Sequence, residues 1–135
     1  MCSAENVLSF IKEFNMSTRS FIGMAKSNGE LIGNYCHYDG YPEHVGVALV
    51  TYYSTAEHAI ALIGGPRIRC IGPDGEVERF KDSDIGTETF ESVNEVLNSG
   101  YDYCYLFSKE EQRWTCFGRD YGPYASIIVS KEIPG

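Results

Sequence analysis

Ser17-Thr-Arg-Ser-Phe-Ile-Gly-Met-Ala-Lys-Ser-Asn-Gly-Glu-Leu-Ile-Gly-Asn-Tyr-Cys-His-Tyr38 decides the fold. At its centre Ser27-Asn28-Gly29-Glu30 is a hairpin turn, because Asn-Gly accepts the positive φ that tight turns require. Ser17 to Lys26 reads as the outgoing strand, with Phe21 and Ile22 in it. Leu31 to Tyr38 is the return strand. It alternates, with Ile32, Asn34, Cys36 and Tyr38 on one face and Leu31, Gly33, Tyr35 and His37 on the other.

The chain beyond the hairpin supplies helices and further strands. Asp39-Gly40 ends the return strand, and Pro42 suits the first turn of a helix, where its missing N–H costs nothing. Glu43 favours the positive helix start, and Val45, Leu49 and Tyr52 or Tyr53 form a buried stripe. Ser54-Thr-Ala-Glu57 has the spacing of a capping box, predicting a second helix that carries Ile60 and Ile63 and stops at Gly64-Gly65-Pro66. Pro73-Asp-Gly75 predicts a short hairpin joining Arg67–Ile71 to Glu76–Phe80. Thr89 to Asn98 reads as a helix with Phe90, Val93 and Leu97 inward. Tyr101–Ser108, Arg113–Gly118 and Ser126–Ile133 read as strands, with Tyr121-Gly-Pro-Tyr124 as a loop. Upstream, Ser3 can cap a helix bearing Val7, Leu8, Ile11 and Phe14. The expected organisation is a helical extension over residues 1–15 and a single α+β domain over 16–135, an antiparallel sheet of hairpins with helices packed on one face.

A chain of 135 residues holds one modest core. Its formal net charge is −8, from 11 Lys+Arg against 19 Asp+Glu, which disfavours direct contact with nucleic acid or anionic membranes. The charge suits a partner protein with a basic surface. The five cysteines, Cys2, Cys36, Cys70, Cys104 and Cys116, are scattered and contain no C-x-x-C pair, so we expect reduced thiols and a cytoplasmic location. No apolar run reaches the length of a membrane span, and no signal peptide is expected.

Functional chemistry concentrates in Tyr35-Cys-His-Tyr-Asp-Gly-Tyr-Pro-Glu-His-Val-Gly46. Candidate binding residues there are Tyr35, His37, Tyr38, Asp39, Tyr41, Glu43 and His44. His37, Asp39, Glu43 and His44 have ligand chemistry suited to zinc, yet H-x-D-x₃-E-H is not an established ligand spacing, and no metal or cofactor is expected. The structural alternative gives Asp39 the helix cap or the Gly40 turn, His37 a backbone carbonyl, and Gly46 a close helix–sheet approach. Cys36 as a nucleophile would need a basic neighbour, and His37 points to the opposite face. A second candidate set is Tyr101, Tyr103 and Tyr105, which alternate along one strand and predict a tyrosine ladder, as core rim or binding face. No P-loop and no G-x-S-x-G element occurs, and the sequence provides no catalytic set.

From Ser17 to about Gly118 the chain resembles a family of small proteins encoded by tailed bacteriophages and prophages. The resemblance rests on Ser17-Thr-Arg-Ser20, on Tyr35 to Gly46, on Tyr52-Tyr53, on Tyr103-Cys-Tyr-Leu-Phe107 and on Trp114. Tyr38 stands where the family usually has Trp, and Gly64-Gly65-Pro66 replaces a usual Leu-Gly-Asp-Leu-Ser segment. The resemblance implies a viral origin and a cytoplasmic accessory role, and it lends no catalytic residues. The leading expectation is therefore a phage-encoded accessory protein that binds a host protein, in the manner of an inhibitor of host defence. The rival is a small-molecule or nucleotide-binding protein, or an enzyme, with its site at the 35–46 strand-to-helix corner. A concave corner would favour the rival and a filled one the protein binder.

Overall fold

The computed structural model describes residues 18–81 and 86–119, the backbone of 128–131, and residue 133. The expected helix over residues 1–15 and the loop at Tyr121 to Tyr124 lie outside the described residues. The expected hairpin is present as β1 (Ser20–Ala25) and β2 (Leu31–Cys36), paired in register from Ser20↔Cys36 to Ala25↔Leu31. Gly29 takes φ +94° at the turn, and the Asn28 side chain accepts the Glu30 N–H at 3.0 Å.

Next come a π-helical turn (Pro42–Gly46), α1 (Val47–Tyr52) and α2 (Ala56–Ile63). β3 (Ile68–Ile71) and β4 (Val77–Arg79) form the expected short hairpin. The predicted helix over 89–98 is corrected. Its first half is β5 (Thr87–Phe90), which pairs antiparallel with β2, and only Val93–Asn98 is helical, as α3. Ser92 marks the boundary, its hydroxyl accepting the Glu95 N–H at 3.1 Å. The second helix starts one residue later than the capping box predicts: Thr55 is the cap, accepting from His58 N–H. β6 (Tyr103–Ser108), β7 (Arg113–Arg119) and β8 (Ile128–Lys131) complete the chain order.

The architecture is a single α+β sheet, mostly antiparallel, in the order β4-β3-β2-β1-β6-β7-β8, with β5 on β2 beside that path. Two pairings are parallel, β1 with β6 and β2 with β3. The main core lies under α1 and α2. Ile22, Met24, Cys36, Tyr105, Phe107, Trp114 and Cys116 from the sheet meet Val45, Leu49, Ala59, Leu62 and Ile63. Ile60 points outward, while Ala59, Leu62 and Ile63 occupy the inner face of α2. The opposite face carries a smaller cluster, in which α3 places Val96 and Leu97 on Phe21, Leu31, Tyr101 and Cys104. The larger helical layer thus covers one face as expected, with α3 as an addition on the other.

The outer edge of β2 divides between two partners. Leu31 to Asn34 pair with β5, while Cys36 pairs with β3. Asn34 sits at this fork, fully buried. Its amide nitrogen donates to the carbonyls of Ile63 at 2.8 Å, Pro66 at 3.2 Å and Gly65 at 3.3 Å. Its Oδ1 accepts the Tyr35 N–H at 2.7 Å, in the gap between β5 and β3. Arg79 completes the end of α2, donating to Leu62 O at 2.9 Å and Pro66 O at 2.6 Å. Carbonyls at and beyond the C-terminus of a helix have no intrahelical partner, and here two side chains from the sheet supply donors.

Candidate functional site

The 35–46 corner is built by a sharp change of backbone direction. His37 N–H and Tyr38 N–H donate to Ile68 O and Arg69 O, extending the β3 contact past Cys36. Asp39 then takes φ +54°, a left-handed conformation that Asp and Asn tolerate better than most residues. Gly40 follows, its N–H donating to Thr18 O at 2.9 Å. A Cβ at Gly40 would stand 2.7 Å from Ser20 Oγ and 2.9 Å from Thr18 O, so only glycine fits this approach to β1. Tyr41 is the residue at the helix entrance, with no side-chain cap, and Pro42 opens the turn as the sequence predicts. Asp39 is therefore the turn residue and not the helix cap.

Beyond Pro42 the π-helical turn brings Gly46 over Tyr105. A Cβ on Gly46 would lie 3.4 Å from the Tyr105 ring, which is the close helix–sheet approach expected of this glycine. Tyr105 is fully buried and its hydroxyl donates to Gly40 O at 2.7 Å. Burial holds that phenol far above its ordinary range. His44 Nε2 lies 2.9 Å from Ile71 O, so its ring is tied to β3. Glu43 is exposed in the first turn.

His37, Asp39, Glu43 and His44 do not converge. Among the described residues no group of three or more His, Cys, Asp or Glu side chains is placed to hold a metal ion. Cys36 is fully buried, and burial pushes its thiol up to about 12, which leaves it protonated and unsuited to nucleophilic attack. Cys36, Cys104 and Cys116 are free thiols, all buried. Cys70 is disulfide-bonded, which corrects the expectation of a reduced thiol at that position. No helix of the described residues is long and apolar enough to cross a membrane.

The tyrosine ladder is corrected as well. Tyr103 and Tyr105 lie on the α1/α2 face, their ring centroids 6.4 Å apart, but Tyr101 belongs to the opposite cluster under α3. The alternation breaks because Tyr101 precedes β6. Gly100 turns the backbone at φ +103°, and Asp102 N–H and Tyr103 N–H both donate to Arg19 O.

An aromatic wall covers the opposite side of the corner. The Tyr35 hydroxyl forms a short hydrogen bond with His37 Nδ1. His37 meets the edges of Tyr38, centroids 4.3 Å apart, and of Phe80, 5.7 Å apart. Arg67 lies across both Tyr35, 5.4 Å from its centroid, and Phe80, at 5.7 Å, while Arg69 covers Tyr38 at 5.2 Å. Tyr35 in turn meets Tyr101 edge to face at 5.9 Å. Beside this wall opens a pocket of about 350 Å³ lined by Arg19, Tyr35, Arg67, Glu88, Ser99, Gly100 and Tyr101. The Tyr101 hydroxyl donates to Glu88 Oε2 at 3.2 Å. Burial, with the Glu88 carboxylate beside it, holds the Tyr101 phenol well above its ordinary range, and burial raises Tyr35 too.

The sequence singled out Tyr35 and Tyr101, and the fold brings them together. Arg19, Arg67 and Glu88 were not singled out. They come from separate segments with no shared motif, and the only local signal is Arg67 directly after Gly64-Gly65-Pro66. No protein-family model matches this chain, and neither a curated protein nor a solved structure matches it.

Proposed function

We propose that the chain is a phage-type accessory protein that acts by binding a host protein with a basic surface, as an inhibitor of host defence would. The observation that carries this reading is the bracing of the corner. Tyr105 is spent on Gly40 O, His44 on Ile71 O and Gly40 on the approach to β1, which leaves the richest polar stretch of the sequence as bracing. The viral origin and host context come from the resemblance alone. The net charge of −8 supplies complementarity to a basic partner. The exposed large apolar side chains among the described residues, Val50, Tyr52 and Ile60, all lie on α1 and α2, and this helical layer is the docking surface we assign.

Affinity capture from host lysate tests the reading, with Val50→Asp and Ile60→Asp as paired variants. The expected result is a specific protein captured by the parent chain, lost from both variants at unchanged melting temperature, and weakened as salt shortens the Debye length below about 8 Å. Capture that ignores both substitutions, or that is indifferent to salt, refutes it. The rival reading, a small-molecule or enzyme site at the corner, has less support, because Tyr105, His44 and Gly40 are engaged in bracing it.

A further inference from the structure

The β1–β2 and β6–β7 turns stand side by side at one end of the sheet, since Met24 pairs with Phe107 and Ser108 with Arg113. Beside them opens a groove of about 610 Å³, well inside the range of small-ligand sites. Its floor belongs to the face that carries α3. Residues two apart on a strand share a face, so Leu106 follows Cys104, while Thr115 and Phe117 stand opposite Leu106 and Cys104. Cys104 is buried under α3, but Leu106, Thr115 and Phe117 are only half-buried and line the groove. Among the described residues no second ring and no guanidinium lies against the Phe117 ring.

The rim is cationic in a chain of net charge −8. Lys26 and Lys109, two of the five lysines, line it with one carboxylate, Glu110, and all three are exposed. Lys109 enters no ion pair among the described residues. Lys26 holds Glu30 at 3.2 Å, an exposed pair whose small net worth lets it exchange partners. What the floor lacks narrows the ligand further. β1 is paired with β2 and β6, and β6 with β1 and β7, so the backbone groups of these central strands are already used. An extended peptide laid across them would bury its own amides without partners. A hydrocarbon chain carries no such groups and gains by leaving water. A carboxylate at its end meets the compact ammonium charges of the rim. We propose that this groove binds a medium-chain monocarboxylate, its alkyl chain along Leu106, Thr115 and Phe117 and its carboxylate at Lys109, with Lys26 beside it. The site lies on the α3 side of the sheet, so it and the docking surface on α1 and α2 can fail separately.

The experiment is titration of the full chain with octanoate, below the concentration at which it forms micelles, and with octan-1-ol and acetate, followed by NMR of the backbone amides. Octanoate should saturate in the millimolar range, with shifts concentrated on the β6–β7 turn and the adjoining ends of β1 and β6. Octanol, which lacks the charge, should bind at least about threefold more weakly. Acetate, which lacks the chain, should not saturate in that range. Lys109→Glu should weaken octanoate at least about fivefold, because attraction becomes repulsion. Lys81→Glu makes the same charge change on an exposed residue beyond β4, at the opposite edge of the sheet, and should bind as the parent does. Thr115→Phe keeps a strand-favouring side chain while filling the floor, and should abolish saturation. Should that variant fail to fold, the two charge variants carry the test. Four results would each overturn the assignment: no saturation of the parent, octanol or acetate binding as tightly as octanoate, Lys109→Glu losing no more than Lys81→Glu, or a folded Thr115→Phe protein that binds as the parent does.

Discussion

Replacing Asn34 with alanine should be the most damaging polar-to-small substitution in the sheet, and the structure sets the size of the effect. Asn34 contacts three carbonyls, but they do not depend on it equally. Pro66 O keeps Arg79 at 2.6 Å and Gly65 O keeps the Gly86 N–H at 2.8 Å, whereas Ile63 O has its recorded donor in Asn34. The Tyr35 N–H loses its acceptor at the fork. One buried carbonyl stripped of its donor costs about 1–3 kcal/mol, and the small void adds to it, for about 2–3 kcal/mol in total. For a chain of this size that is a drop of about 10 °C in melting temperature. Asn34→Asp adds a pH signature. A carboxylate facing carbonyl oxygens in a dry site has its folded pKa raised, so the unfolded state ionises first. The deficit relative to the parent should therefore grow as pH rises from about 4, the ordinary Asp value, toward 7. Calorimetric melting of both variants between those limits is the assay. An Asn34→Ala protein that melts within about 2 °C of the parent, below the shift expected for even 1 kcal/mol, would refute the account of the fork.

Three further outcomes are expected. Gly86→Ala should lower stability by more than about 1 kcal/mol, because a Cβ there would stand 2.4 Å from Asn34 Oδ1 and 2.6 Å from Arg67 N; chemical denaturation measures it, and a neutral variant would show that the fork can open. At Asp39, with φ +54°, glycine should be tolerated within about 0.5 kcal/mol while valine costs about 1–2 kcal/mol, a contrast that a capping role would not produce. Burial pushes the thiols of Cys36 and Cys104 from an ordinary value of 9.0 up to about 12. The unfolded chain then loses protons first as pH rises, so the melting temperature should fall from about pH 9 upward, and native thiols should resist alkylation at pH 8 until the protein is unfolded. A melting temperature constant to pH 11 would contradict this.

Local chemistry was legible where it acted alone. Asn28-Gly29 demanded its turn and the alternation of Leu31 to Cys36 survived intact, with Asn34 and Cys36 facing one layer and Tyr35 the other. Phe90, Val93 and Leu97 have helical spacing, yet Phe90 pairs with Leu31 in the sheet, and that long-range pairing outweighs a local period. The capping box was misread by one residue because Ser54 and Thr55 are both competent caps. At the corner, the residue types correctly marked an unusual place, but their purpose depends on partners remote in sequence: Gly40 on Ser20 and Tyr105, His44 on Ile71. The pocket was illegible for the same reason, since Arg19, Tyr35, Arg67, Glu88 and Tyr101 meet only through the pairing of strands drawn from five separate segments.

The parallel contact between β1 and β6 has a consequence for synthesis on the ribosome. Ser20 pairs with Tyr103 and Met24 with Phe107, so one side of the first strand waits for 83 residues of further chain. At about 5–20 residues per second that interval is roughly 4–17 s. During it the β1–β2 hairpin can form, but the β1 edge, with Phe21, Ile22 and Met24 along it, has no native neighbour and is a template for pairing with another nascent chain. Chains arrested before β6 should therefore be the species that aggregates or recruits chaperones, and slow codons placed between Asn98 and Tyr103 should lower the yield of folded protein more than the same codons placed after Arg119.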